Sequence, residues 1–99
     1  MGIYNNYRII GQINALIKQI EPKIIYIKGE LNYPFTANTE RLTAECASVA
    51  VLMNEILEII NSSPRSVGLA PYYCNGIKWD IKEFAMYVLQ LIDRAKLIM

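Results

Sequence analysis

The side chains with the most reactive chemistry in this sequence are Cys46 and Cys74, in a chain that contains no histidine. Histidine is the commonest general base, the commonest metal ligand and the usual partner of a cysteine or serine nucleophile. A nucleophilic Cys74, the one thiol expected to be exposed, would need activation by Lys78 or by a helix N-terminus, and the spacing indicates neither. Two cysteines without a CxxC spacing also predict no zinc site. We therefore predict no catalytic residue, no metal and no cofactor.

Other patterns that could carry chemistry are weak. Glu55 and Glu58 lie three residues apart beside an apolar stripe, which is typical of a solvated helix face rather than of an acid–base pair. The five glycines are too widely spaced for a phosphate-binding loop. The sequence therefore favours a protein that is not an enzyme.

The connector before the last predicted helix carries the residue types that dominate binding hot spots. It contains Arg65, the pair Tyr72 and Tyr73, and then Trp79. Arginine, tyrosine and tryptophan are enriched at protein-binding hot spots, and they also stack on nucleobases while arginine reaches a phosphate. The structural alternative is that the aromatic rings pack the connector onto the helices. These four residues form the predicted ligand- or partner-binding set.

Apolar residues at spacings of three and four predict three helices, at about residues 6–20, 38–61 and 80–98. Their stripes consist of Ile10, Ile13, Ile17 and Ile20; of Leu42, Cys46, Val49, Met53, Ile56 and Ile60; and of Ile81, Ala85, Val88, Ile92 and Ala95. The last two stripes have heptad spacing, which favours an antiparallel pair. We therefore predict a mainly α protein, a small bundle of three helices in a single domain of residues 1–99.

Capping signals support the three helix starts. The last one is the most specific, because Trp79 and Phe84 match a hydrophobic staple around Asp80, with Glu83 completing a variant capping box. The N-cap candidates are Asn5 or Asn6, Asn38 or Thr39, and Asp80.

The segment 23–35 is ambiguous. Residues 23–28 have strand composition, and Gly29 with Glu30 could turn the chain back as a short β-hairpin. Equally, Pro22 could be the first residue of a new helix, where its missing N–H costs nothing. The composition slightly favours the hairpin.

The chain has more apolar side chains than a monomer of its size readily hides. Counted with its five glycines and without its seven tyrosines, the chain is about 52% apolar, whereas an ordinary soluble domain counted in the same way is about 45–50% apolar. A second copy of the chain is the usual cover, most often through a two-fold interface. The second predicted helix has two apolar sides, which is typical of a helix that is central in a bundle or packed against a second subunit. The predicted interface residues are Met53, Leu57, Ile59 and Leu91.

The net charge of +1 argues against nucleic acid and against an anionic membrane as partners. The charge is nevertheless uneven, because residues 1–28 carry four basic groups against Glu21, whereas residues 29–63 carry five glutamates against Arg41. This opposition could steer the first helix onto the second, within one chain or between chains. The aromatic residues among the N-terminal basic groups resemble a weak nucleic-acid surface, but a solvated helix face explains them better.

No signal peptide is visible in the first ten residues, and no apolar run is long enough to cross a membrane. We expect a protein of the reducing cytoplasm. The expected function is homo-oligomerisation, with a dimer as the expected assembly, together with protein–protein binding. The alternative is a module that binds a nucleotide or another small anionic metabolite near Arg65, Tyr72 and Tyr73.

Overall fold

We describe the fold from a computed structural model, which places the backbone of residues 3–99 and the side chains of residues 6–99. The protein is mainly α, as predicted. The elements in chain order are α1 (Ile3–Asn32), a 3₁₀ turn (Pro34–Thr36), α2 (Thr39–Asn61), α3 (Arg65–Leu69), β1 (Tyr72–Cys74), β2 (Ile77–Trp79) and α4 (Ile81–Lys96).

Helix α1 is twice as long as the sequence predicted. The β-hairpin predicted for segment 23–35 is wrong, and the helical alternative is correct for residues 23–32 except that no new helix begins at Pro22. The helix neither ends before Pro22 nor restarts there, and residues 23–32 are helical. Its core side chains keep one heptad spacing on both sides of the proline; they are Ile13, Ile17, Ile20, Ile24 and Ile27. Pro22 itself faces solvent. It leaves the Lys18 carbonyl without a helical donor, and water can serve that carbonyl because Lys18 is exposed.

Burial of this long stripe explains why isoleucine, a strand former by composition, is helical here. Each fully buried isoleucine is worth about 1.5–3 kcal/mol, which exceeds the small helix-propensity cost of a β-branched residue. The cap prediction at this end was also wrong, because the helix already includes Asn5 and Asn6. The amide of Asn6 instead donates a 2.9 Å hydrogen bond to the Ser66 hydroxyl.

The predicted starts of α2 and α4 are confirmed. The Asn38 side chain accepts a hydrogen bond from the Arg41 N–H at 3.0 Å. The Asp80 carboxylate accepts from the N–H groups of Lys82 and Glu83 at 3.1 and 3.2 Å. These bonds satisfy backbone donors that have no partner inside a helix.

The hairpin of this fold lies in the connector rather than at 23–35. Strands β1 and β2 pair antiparallel, with Tyr72 opposite Trp79 and Cys74 opposite Ile77. The two turn residues, Asn75 and Gly76, have φ values of 51° and 80°. Positive φ at both central positions is the requirement of a type I′ turn, which matches the twist of the strands.

One hydrophobic core joins the three long helices, α3 and β1. Helices α1 and α2 share the most extensive contact of the molecule, and α4 packs against both. The hydroxyl of Thr43, near the start of α2, donates to the Met99 sulfur beyond the end of α4. Helices α2 and α4 are therefore antiparallel, as their stripes predicted. The apolar residues of all three predicted stripes are buried except for Ile10 and Ile60, which are half-buried.

Candidate functional site

The four predicted binding residues of the connector do not form one site. Tyr72 is 1% exposed, and its hydroxyl donates a 2.6 Å hydrogen bond to the Val67 carbonyl. Tyr73 lies on the opposite face of the strand and is 56% exposed. Only the second of these rings can therefore contact a ligand or partner in this conformation.

Trp79 is held by its own chain. Its ring centroid lies 4.9 Å from that of Tyr87, nearly parallel, and 5.7 Å from that of Phe84. The second contact is the predicted hydrophobic staple. Trp79 is half-buried, so it packs the connector onto α4, as the structural alternative proposed.

Arg65 lines a surface cavity of about 200 Å³ between α3, the end of α2 and the start of α4. The walls are apolar; they consist of Ile60, Pro64, Gly68, Leu69 and Ile81. The second basic residue at this cavity is Lys82, which the sequence did not suggest. Neither basic side chain forms a salt bridge with another described residue. The cavity therefore combines apolar walls with two positive charges at its edge.

Cys74 is buried rather than exposed. It is 3% exposed and lines a cavity of about 190 Å³ with Ile24, Trp79 and Tyr87 among its neighbours. Burial, reinforced by the nearby Glu21 carboxylate, raises the pKa of Cys74 to about 11. Burial likewise raises the pKa of Cys46, which lies on the α2 stripe as predicted. Both thiols are therefore protonated at neutral pH, the opposite of what a nucleophile needs.

The described part of the chain contains neither a metal-ligand cluster nor a helix that could cross a membrane. Among residues 3–99, no group of three or more cysteine, aspartate or glutamate side chains could hold a metal ion. Within the same residues, no helix has the combined length and apolar character of a membrane span.

The predicted interface residues are mostly internal. Met53 and Leu91 are buried in the core of the single chain and cannot contact a second chain in this conformation. Leu57 and Ile59 are half-buried and pack against the core. The apolar surplus of the sequence is instead exposed at other positions; the large apolar side chains of the three long helices that face solvent are Tyr7, Ile25, Val51, Met86 and Leu89.

Helices α1 and α2 carry opposite net charges, but few of their charged side chains are in contact. Lys23 and Glu45 form a salt bridge at 3.3 Å, the only one among the described side chains. The Arg41 guanidinium lies 4.1 Å from the centre of the Tyr26 ring, a cation–π contact. These contacts join α2 to α1 within one chain, so the opposition contributes to the arrangement of the fold.

Comparison of the chain with protein-family models, with curated proteins and with solved structures gives no match. The candidate sites are therefore judged on their own geometry. Two remain: the exposed apolar helix faces and the Arg65 cavity.

Proposed function

We propose that this protein acts without chemistry of its own, by associating with a second copy of itself and binding other proteins. The observation that supports this proposal is the set of large apolar side chains that the fold leaves in solvent. Scattered exposed apolar residues are normal. Here, however, Met86 and Leu89 are neighbours on one helix, at 61% and 55% exposure.

The absence of an activated group in the described fold is consistent with this proposal. The two thiols are buried with raised pKa values, and the sequence has no histidine. A binding protein needs neither an activated thiol nor a histidine.

Sedimentation velocity tests the proposal directly. Measured from about 1 µM to about 1 mM, which covers association free energies of about −8 to −4 kcal/mol, the sedimentation coefficient should rise towards that of a dimer. A single species of 11.3 kDa at every concentration would contradict self-association.

A second function is supported by the Arg65 cavity. An engineered apolar cavity of about 150 Å³ takes up benzene, so a space of about 200 Å³ fits a six-carbon chain or ring. The positive charges of Arg65 and Lys82 at its edge favour an anionic head group. The ligand class is a small carboxylate with an apolar tail, which narrows the anionic metabolite expected from the sequence.

Thermal unfolding with hexanoate tests this second function, because a ligand that binds only the folded state raises its stability. Hexanoate should raise the melting temperature, whereas acetate, which lacks the tail, and hexan-1-ol, which lacks the charge, should not. The variant Arg65→Gln should lose the effect, and Lys18→Gln on α1 serves as the matched control. Equal shifts with all three compounds would contradict a specific site.

A further inference from the structure

Helix α4 carries a second stripe of side chains, separate from the one that packs into the core. Lys82, Met86, Leu89 and Asp93 follow one another at spacings of four, three and four, and all four are exposed. This is heptad spacing, so the four side chains lie along one line of the helix surface. The stripe spans about 16 Å of the helix axis. We call it the outer stripe of α4.

The outer stripe is complementary to a second copy of itself that runs in the opposite direction. Its two apolar residues are central, its positive residue is at one end and its negative residue is at the other. If two α4 helices pack antiparallel about an axis between Met86 and Leu89, then Met86 contacts the partner's Leu89. In the same arrangement Lys82 meets the partner's Asp93, and the two-fold axis repeats both contacts.

We propose that the outer stripe of α4 is the interface through which two copies of this chain form an antiparallel two-fold dimer. The inference rests on the self-association proposed above and specifies its surface. A two-fold interface requires a patch that matches its own copy, and the order of charged and apolar residues in the outer stripe meets that requirement.

The charges of the outer stripe are available for a partner. Neither Lys82 nor Asp93 forms a salt bridge with another described residue. Their placement is also unfavourable for an isolated helix, because Lys82 lies in the first turn, where the helix dipole favours acidic groups, and Asp93 lies in the last turn, where it favours basic ones. Pairing with a second copy compensates for both positions.

Charge reversal gives the sharpest test. The single variants Lys82→Glu and Asp93→Lys each place like charges opposite one another at both ends of the stripe. Each should raise the dissociation constant about tenfold, measured by sedimentation equilibrium. The double variant Lys82→Glu/Asp93→Lys restores the pairing in the reverse sense and should recover wild-type association. Lys18→Glu, the same charge change on α1, is the matched control and should leave association unchanged.

Both charge reversals improve the match to the helix dipole, so loss of association in a single variant cannot be attributed to an unfolded α4. Circular dichroism of each variant checks this. A double variant that associates no better than either single variant would overturn the antiparallel pairing.

The apolar centre provides a second test. Met86→Lys should abolish the dimer, whereas Ile25→Lys on α1, at the same 61% exposure, should not. A wild-type protein that dimerises while Met86→Lys has no effect would overturn the outer stripe and leave self-association standing. A wild-type protein that stays monomeric would overturn both.

Discussion

The Glu21 carboxylate accepts a hydrogen bond from the backbone N–H of Asn75 over 2.7 Å, across 54 positions of the chain. The Asn75 side-chain amide also donates to the Glu21 carbonyl at 3.3 Å. These two bonds fix the turn of the β-hairpin to the middle of α1, one residue before Pro22. The hairpin is thereby held at its tip by α1 and at its base by the packing of Trp79 on α4.

Removing this connection should release the hairpin. The variant Glu21→Ala loses the carboxylate acceptor, and a hydrogen bond to a charged group is worth about 1.5–3 kcal/mol when it is well formed. Because this one is exposed to solvent, we expect a loss of about 1 kcal/mol in the free energy of unfolding and faster amide hydrogen exchange in residues 72–79. Glu21→Gln keeps an acceptor oxygen, so its free energy of unfolding and its exchange rates should lie between those of the wild type and those of Glu21→Ala. Glu55→Ala, an exposed carboxylate of α2, should change neither quantity.

The buried hydroxyl of Tyr72 should matter for stability, and that of Tyr73 should not. Pro71 has no N–H with which to continue α3, so the Tyr72 hydroxyl serves the Val67 carbonyl in its place. Tyr72→Phe leaves that carbonyl without this donor, at a cost of about 1–3 kcal/mol. Urea denaturation of Tyr72→Phe and Tyr73→Phe provides the comparison. Equal midpoints would mean that the bond contributes nothing.

The raised pKa of Cys74 predicts a loss of stability at alkaline pH. The thiol titrates near pH 9 when unfolded and near 11 in the folded protein, so the folded state holds its proton more tightly. The contribution of the Cys74 proton to the free energy of unfolding is complete below about pH 9 and is lost as the pH rises through 11. The free energy of unfolding should therefore fall across this range less steeply in Cys74→Ala than in the wild type. Parallel pH profiles would show that the thiol pKa is not raised.

The N-cap of α4 should contribute measurably to stability. Asp80→Ala removes the acceptor of two backbone N–H groups and should cost about 1 kcal/mol. That loss corresponds to a melting temperature lower by about 4–8 °C in a domain of this size. Asp80→Asn keeps the acceptor oxygen and is the control, so its melting temperature should stay close to that of the wild type. A melting temperature unchanged by Asp80→Ala would contradict the cap.

The sequence predicted helices well where their patterns were longest and their ends were marked. Helices α2 and α4 begin at the predicted caps, because an Asn or Asp side chain before an apolar stripe satisfies local backbone donors. The predicted end of the first helix at residue 20 is wrong, because the prediction rests on Pro22 and on the strand propensity of the isoleucine run. The continuous spacing from Ile13 to Ile27 was the stronger signal, since tertiary burial outweighs propensity.

The β-hairpin also has a clear signal in the sequence, but its predicted position at residues 23–35 is wrong. Asn75 and Gly76 form the most characteristic two-residue hairpin turn, and they stand between Tyr72–Cys74 and Ile77–Trp79. By contrast, Gly29 with Glu30 lacks that signature. The residue types of the turn therefore predict the position of the two strands, whereas strand composition does not.

The candidate sites were less predictable than the fold. Arg65, one of the predicted binding residues, lines a cavity together with Lys82, which is 17 positions away in the sequence and reaches the cavity through the packing of α4 on the end of α2. Of the four predicted interface residues, Met53 on α2 and Leu91 on α4 are buried in the core, and Leu57 and Ile59 are half-buried. Which apolar residues remain outside depends on the angle between helices, and a pattern in one helix does not contain that information.

The stacked position of Trp79 has a practical consequence. It is the only tryptophan of the chain, and it lies where the hairpin, Phe84 and Tyr87 meet. Its intrinsic fluorescence therefore reports on one junction alone. A change in emission wavelength ahead of the loss of helical circular dichroism would show the hairpin detaching from α4 before the bundle unfolds, without any attached label.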